Sequence, residues 1–364
     1  MKQAKQAAEL RDMVKGEDAD IRCYLHAIPP FVEQALAGLY DTLHASLPFF
    51  RVFRSTEGVS CYVAERDGRP ATILLFRCRG RRLEVLNEMI AIEPPELRRF
   101  VRYVFRHFPR IDLIAFAALK TNTAGLGYPA QQHHAKDTFV IDLPDTPEAY
   151  LAGLGKSTRA NIRQQTNLVQ RTFPGYLTRF YTDGDIEERH VRAILALSEA
   201  RIQAGGARVA HDAERILALA RACGFVVVLF IDGEVCAGSV NYRVGTSYFG
   251  DVTGYDRRYD KYSLGKLCVF QTISESIARG AKRFYLGGGE FDFKQRLGGV
   301  SVTMDEVRIY RSRWRMLVNL DRALEAAFHA RIRQLKQHLH RHKQHLLARL
   351  AFRLFYLLKG WAAH

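Results

Sequence analysis

Thr246-Ser247-Tyr248-Phe249-Gly250-Asp251-Val252-Thr253-Gly254-Tyr255, followed by Asp256-Arg257-Arg258-Tyr259-Asp260-Lys261-Tyr262-Ser263-Leu264-Gly265-Lys266, is the stretch on which the reading of this chain turns. The first run, rich in aromatic, Val and Thr residues, has the composition of a β-strand. The second is a polar loop. A helix follows, with Leu267, Phe270, Ile273, Ile277 and Ala278 at spacings of three and four, closing at Gly280. Residues 282–286 read as a second strand and run into Gly287-Gly288-Gly289-Glu290. A strand that enters a helix through a Ser, Gly and Lys loop presents free backbone N–H groups at the positive end of the helix dipole, a ready site for phosphate or pyrophosphate. The same residues also suit an ordinary helix start, with Ser263 as N-cap and Gly265 easing the turn. Spacing alone does not separate the two readings.

Upstream, the same order of elements recurs. Asp67-Gly68 sits between strand-like runs at 61–65 and 71–77, and Asp232-Gly233 between runs at 225–231 and 235–244. From Asp67 to Gly80 is 13 positions, and from Asp232 to Gly245 is also 13. Both segments go on as strand, helix, strand, which predicts an internal repeat. The copies differ in length: Asp67 to Ile111 spans 44 positions and Asp232 to Phe284 spans 52, with much of the excess in the loop before the helix. The first copy carries Glu93-Pro94-Pro95-Glu96 at that place. Its carboxylates repel phosphate and its prolines lack N–H donors. A phosphorylated cofactor therefore belongs to the second copy, with the first a scaffold or a wall of the acceptor site.

The remaining pattern predicts a strand over 21–28 closed by Pro29-Pro30, a helix over 31–47, strands over 49–53 and 83–89, a helix over 93–108 and a strand over 111–117. Between the copies, Thr146-Pro147-Glu148 opens a helix through Tyr150, Leu151 and Leu154. The basic, amide-rich run from Lys156 to Gln165 places Arg159 and Arg163 on one helical face, either as a solvated surface or as an anion clamp beside the site. A strand over 176–181 and helices over 186–204 and 212–223 lead into the second copy.

The chain's 364 residues, 48% hydrophobic and 25% charged, suit a globular protein of two domains. The net charge of +16 is uneven: residues 308–364 carry 13 Lys or Arg against two acidic residues, +11 of the total. That balance implies an anionic partner for the tail (membrane headgroups, nucleic acid or an acidic protein) and not a nucleic-acid-binding fold. Leu346, Leu347, Leu350, Leu354, Leu357 and Leu358 form an apolar stripe there, with Arg349, Arg353 and Lys359 between. Such a basic amphipathic helix suits an anionic membrane surface, and equally a site on the body or on another subunit. His338, His342 and His345 share a face without a carboxylate or cysteine, so no metal is expected. Six scattered cysteines, no secretory signal and no apolar run near 20 residues predict a cytoplasmic protein, soluble or peripheral at the membrane.

Three stretches together resemble the GNAT acyltransferase superfamily, and within it the branch of bacterial cellulose and exopolysaccharide accessory acetyltransferases related to Fem-type peptidyltransferases. They are Tyr150-Leu151 with Lys156 to Gln165; Tyr255-Asp256 with Tyr262-Ser263-Leu264-Gly265, similar to a Tyr-Ser-Pro-Gly motif; and Glu290 with Phe293-Lys294 and Leu297-Gly298, similar to an acidic residue, an aromatic-Lys pair and an aromatic-Gly. Leu264 and Leu297 depart from the usual Pro and aromatic. The resemblance implies an α/β fold on a mixed sheet with tandem GNAT-like domains: a degenerate one over 1–145, a complete one over 146–312, and a basic helical tail over 313–364. It implies transfer of an acyl group from acetyl-CoA or another acyl-CoA to an amine or hydroxyl of a small molecule, glycan or peptide, in envelope or exopolysaccharide metabolism.

Glu290 matches the acidic residue of the motif and is the first candidate base. Asp251, a carboxylate inside an otherwise uncharged strand, is the second, and equally a structural acceptor. Tyr262 or Tyr285 is placed to return a proton to the leaving thiolate, or simply to pack. Arg258, Tyr262, Ser263, Leu264, Gly265 and Lys266 are the expected donor-binding residues, and Arg159, Arg163 and Lys294, with Arg296 beside it, face donor or acceptor. Two other readings keep the fold: an aminoacyl-tRNA-dependent transferase like the Fem relatives, with the basic tail on RNA, and a non-catalytic scaffold subunit.

Overall fold

A computed structural model describes residues 20–289 and 291–318. The expected amphipathic tail helix, its histidines and Glu290 lie outside them. In chain order the elements are β1 (Ile21–Tyr24), α1 (Phe31–Tyr40), α2 (Leu47–Phe53), β2 (Ser60–Arg66), β3 (Arg69–Arg79), β4 (Arg82–Val85), β5 (Ile90–Ala91), α3 (Pro94–His107), β6 (Leu113–Lys120), β7 (Ala130–Asp142), α4 (Pro147–Gly153), α5 (Lys156–Thr172), β8 (Leu177–Thr182), α6 (Glu188–Ala204), α7 (Ala213–Cys223), β9 (Gly224–Ile231), β10 (Glu234–Val244), β11 (Ser247–Tyr255), α8 (Leu264–Ala278), β12 (Arg283–Gly287), α9 (Phe291–Arg296), β13 (Val300–Tyr310) and α10 (Arg313–Val318). The chain is α/β with mixed strand pairing, as expected. Its described residues divide into two compact units: 20–76, 86–90 and 137–302 form unit 1, and 77–85, 91–136 and 303–318 form unit 2.

The internal repeat is present. Asp67-Gly68 and Asp232-Gly233 both have positive φ at both positions, 54° and 71° against 50° and 83°. That is the turn whose twist matches an antiparallel hairpin, and it joins β2 to β3 and β9 to β10. Each copy then runs through a helix into a parallel pair. β4 pairs with β6 from Arg82↔Leu113 to Val85↔Phe116, and β11 with β12 from Ser247↔Arg283 to Phe249↔Tyr285. The extra length of the second copy is now visible: β4 stops with its last parallel pair, whereas β11 continues to Tyr255 and then makes a 3₁₀ turn, Arg257–Tyr262, before α8.

In unit 1, β9 is buried on both faces, which is why it reads as an unbroken apolar run. Phe225, Val227, Leu229 and Ile231 pack with Leu264, Leu267, Ile273 and Ile277 of α8 and Ile162 and Val169 of α5. Val226 and Val228 pack with Val191, Ile194 and Leu195 of α6 and Ile216, Leu217 and Leu219 of α7. Full burial of each such side chain contributes about 1.5–3 kcal/mol. The N-terminal segment joins this core: Phe49, Val52 and Phe53 of α2 lie against the second cluster. Asp41, at the end of α1, accepts from the N–H groups of Thr246 and Ser247 at 2.9 and 3.2 Å and from their hydroxyls at 3.0 and 2.7 Å.

Unit 2 carries the parallel pair β4·β6, with β13 antiparallel to β6. α3 buries Leu97, Phe100, Val101, Val104 and Phe105. Its end is capped by Arg311, whose guanidinium donates to the carbonyls of Phe105, Phe108 and Ile111 at 2.6, 2.8 and 2.8 Å.

The structure corrects several element readings. Residues 49–53 are helical, not a strand: the Ser46 hydroxyl accepts from the Phe49 N–H, Pro48 sits in the first turn, and Phe50 is buried. The first helix stops at Tyr40, well short of 47, because Asp41 turns into the left-handed region with φ 48°. β1 ends at Tyr24 and β4 at Val85, earlier than read. Strands β7 and β13 have no counterpart in the sequence reading.

Candidate active site

The site is built where β11 and β12 separate. Their parallel pairing lasts three residues and ends on the stacked rings of Phe249 and Tyr285, 4.4 Å apart. Beyond that rung β12 keeps only β7, pairing Gly287 with Phe139, while β11 stays with β10 as far as Tyr255 opposite Ala237. The facing edges of β11 and β12 therefore carry backbone groups that no ladder among the described residues uses, and a strand-like ligand can pair with such an edge.

A β-bulge lies on the same stretch. Val240 pairs with Val252 and Asn241 with Gly250, so Asp251 has no opposite residue. A bulge of this kind bends the strand and re-aims a side chain. The Asp251 carboxylate receives the Tyr242 hydroxyl at 3.0 Å. The residue is exposed, yet the protein packed around its strand still strips water from part of the carboxylate's surroundings. That desolvation, the largest influence, raises its pKa above the ordinary carboxylate value, while the Tyr242 hydrogen bond and His211 pull the other way. His211 is itself held by Glu199, which accepts from its N–H at 2.8 Å, and by Ser198, 3.3 Å from Nε2.

The second wall is the start of α8. Asp256 accepts from the Arg258 N–H at 2.9 Å and so caps the 3₁₀ turn. Ser263 takes φ 53° and its side chain caps nothing; instead its carbonyl receives Lys266 and Leu267 at 2.9 and 3.1 Å. The ordinary N-cap reading of Ser263 is thereby corrected. The N–H groups of Leu264 and Gly265 have no partner among the described residues, and Lys266 is exposed beside them. Gly265 is needed for packing: a Cβ there stands 2.5 Å from the Tyr255 ring.

The three stretches that carry the family resemblance meet here. With its amide turned to donate, Gln165 of α5 reaches the carbonyls of Lys261 and Tyr262 at 3.2 and 3.3 Å. The Tyr150 hydroxyl of α4 donates to the Leu297 carbonyl at 2.9 Å, just past α9. Among the expected donor-binding residues, Leu264, Gly265 and Lys266 stand at the helix start. Arg258 is turned onto Asp256 at 2.7 Å and Glu234 at 3.6 Å. Tyr262 is buried in an aromatic cluster with Phe173, 5.0 Å away, and under the Lys261 ammonium at 4.8 Å. Arg159 donates to the Ala152 carbonyl, Arg163 is exposed, and Lys294 holds the Gly288 carbonyl. The bulge, Tyr242, His211 and the Tyr255–Gly265 contact are not part of the sequence reading; a carboxylate inside an apolar strand was the one signal pointing to them.

This parting of two parallel strands, beside a helix start with unused amides, is the arrangement for which the comparisons find counterparts. Residues 156–295 match the family described as Acetyltransferase (GNAT) domain. The crystal structure of FemX shares the fold, with a TM-score of 0.59 over 77% of this chain and 96% of that chain at 10% identity. A conserved protein of unknown function from Bacteroides thetaiotaomicron aligns with a TM-score of 0.49 over 79% of this chain and 99% of that one at 12% identity. A tandem GNAT protein from the clavulanic acid biosynthesis pathway aligns with a TM-score of 0.42 over 79% and 98% at 12% identity. No curated protein sequence matches the chain. Residues 156–295 are thus similar to a GNAT acetyltransferase domain, and the chain shares the fold of FemX.

Proposed function

We propose that this protein moves an acetyl or longer acyl group from a CoA thioester to an amine or hydroxyl acceptor in bacterial envelope or exopolysaccharide metabolism. The observation that supports this most is the separation of β11 from β12 directly beside the unpartnered N–H groups of Leu264 and Gly265. The free edge of β11 fits an amide-bearing arm, and the helix start with Lys266 fits its pyrophosphate. The thioester supplies an activated acyl group. The chain's own residues align it, offer backbone N–H groups to the carbonyl oxygen as charge develops, and take a proton from the acceptor so that its neutral amine or hydroxyl attacks; the new C–N or C–O bond replaces the C–S bond, and CoA leaves as the thiolate. Asp251, re-aimed by the bulge and with its raised pKa, suits the removal of that proton. Glu290 is the alternative base on the resemblance.

Titration calorimetry with acetyl-CoA tests the reading. Wild-type protein should bind, and Lys266→Glu should weaken binding about tenfold, about 1.4 kcal/mol. Absence of binding at millimolar acetyl-CoA, with tight binding of aminoacyl-tRNA instead, would move the donor to the Fem-like alternative.

A further inference from the structure

The chain's charge is not shared between its units. The described residues of unit 1 hold 26 Lys and Arg against 25 Asp and Glu, whereas those of unit 2 hold 15 against six. Part of this excess gathers at the end of α3, where Arg102, Arg106 and Arg110 are exposed. The three carbonyl contacts of Arg311 bring the start of α10 to that same end. There Trp314, Leu317 and Val318 are 68, 58 and 57% exposed, with Arg313 exposed beside them. The nearby Asp112 carboxylate is already matched by Arg81 and by Arg315 at 3.3 Å.

We infer that this face of unit 2 docks on an anionic lipid surface. Arginines around an exposed Trp and two aliphatic side chains are the chemistry of an interfacial anchor: the cations meet lipid headgroups while the apolar groups enter the acyl boundary. A nucleic acid would satisfy the arginines but leave Leu317 and Val318 in water. The sequence that follows, 319–364, adds nine Lys or Arg against two acidic residues, the same sign again. The inference stands apart from the identity of the acyl donor.

Co-sedimentation of the full chain with phosphatidylcholine vesicles, with and without phosphatidylglycerol, tests it. Binding should need the anionic lipid and weaken with salt. Arg102→Ala with Arg106→Ala should weaken it roughly 25-fold, about fivefold for each cation, and Trp314→Glu with Leu317→Glu should reduce it to the level of neutral vesicles. Circular dichroism of each variant checks that the fold is kept. In a Trp361→Phe background, Trp314 emission should shift to the blue on anionic vesicles only. Equal binding to neutral vesicles, unchanged binding of both double variants, or tRNA binding without any vesicle binding would overturn the proposal.

Discussion

The Asp41 carboxylate accepts from both the N–H and the hydroxyl of Ser247, 206 positions along the chain. It does the same for Thr246, so one side chain at the end of α1 fixes the entry to β11 and with it the strand that parts at the site. Gly245 makes room: it has φ 56°, and a Cβ there would meet the Asp41 carboxylate at 2.3 Å.

Asp41→Ala should cost about 3 kcal/mol, since hydrogen bonds to a charged acceptor contribute roughly 1.5–3 kcal/mol each and do not add fully. Asp41→Asn, which keeps one acceptor oxygen, should lose less. Urea denaturation reads both, and an Ala variant as stable as wild type would remove this contact from the account.

Gly265→Ala forces a methyl into the Tyr255 ring. A strain of about 1–3 kcal/mol is expected, together with weaker acetyl-CoA binding. Tyr255→Ala in the same chain should relieve part of it, so the double variant costs less than the sum of the singles; strict additivity would show that the two do not touch.

Asp251 gives two pH signatures. Its pKa is raised by burial, so its ionised form is disfavoured in the fold. Its contribution is intact below the ordinary value near 3.8 and is lost as pH rises through the raised one. Asp251→Asn should therefore be more stable than wild type at neutral pH while turnover falls about 10²–10⁴-fold if this carboxylate is the base. Tyr242→Phe removes a hydrogen bond that favours the carboxylate, so the acid limb of kcat/KM should move to higher pH. A limb that stays in place in both variants would assign the base to Glu290.

His190 is a stability sensor. It is buried between the rings of Tyr181 and Phe230, 4.9 and 5.6 Å away. Burial lowers its pKa below the ordinary 6.5, Glu187 opposes that and Arg189 adds to it. Below about pH 6.5 the unfolded chain takes up a proton that the folded chain refuses, so the stability is full above that pH and falls as pH drops toward the lowered value. His190→Phe should flatten this part of the stability curve, measured by urea titration at a series of pH values.

The fold was largely legible because its signals are local. Asp-Gly turns, the apolar run of β9 and the stripe of α8 each follow from chain geometry over a few residues. What was hidden depends on distant partners. Phe49-Phe50 reads as strand until Ser46 and Pro48 are weighed as a helix start, and β7, AQQHHAKDTFVID, carries no alternation over its polar half. At the site, Asp251 stood out as a carboxylate among apolar neighbours. The bulge that re-aims it is set by register against β10, which no single strand encodes. The constellation Gln165, Tyr150 and Leu297 was legible as motif residues but not as contacts, since its members come from three separate stretches.

The hold of Asp41 on Thr246 and Ser247 also orders events at the ribosome. At about 5–20 residues per second, β11 emerges on the order of 10–40 s after α1. For that interval the Asp41 carboxylate and the Phe49, Val52 and Phe53 side chains of α2 lack the partners in the second half of the chain that they are shaped to meet, so this side of the N-terminal segment stays uncovered until β9 to β11 have been made.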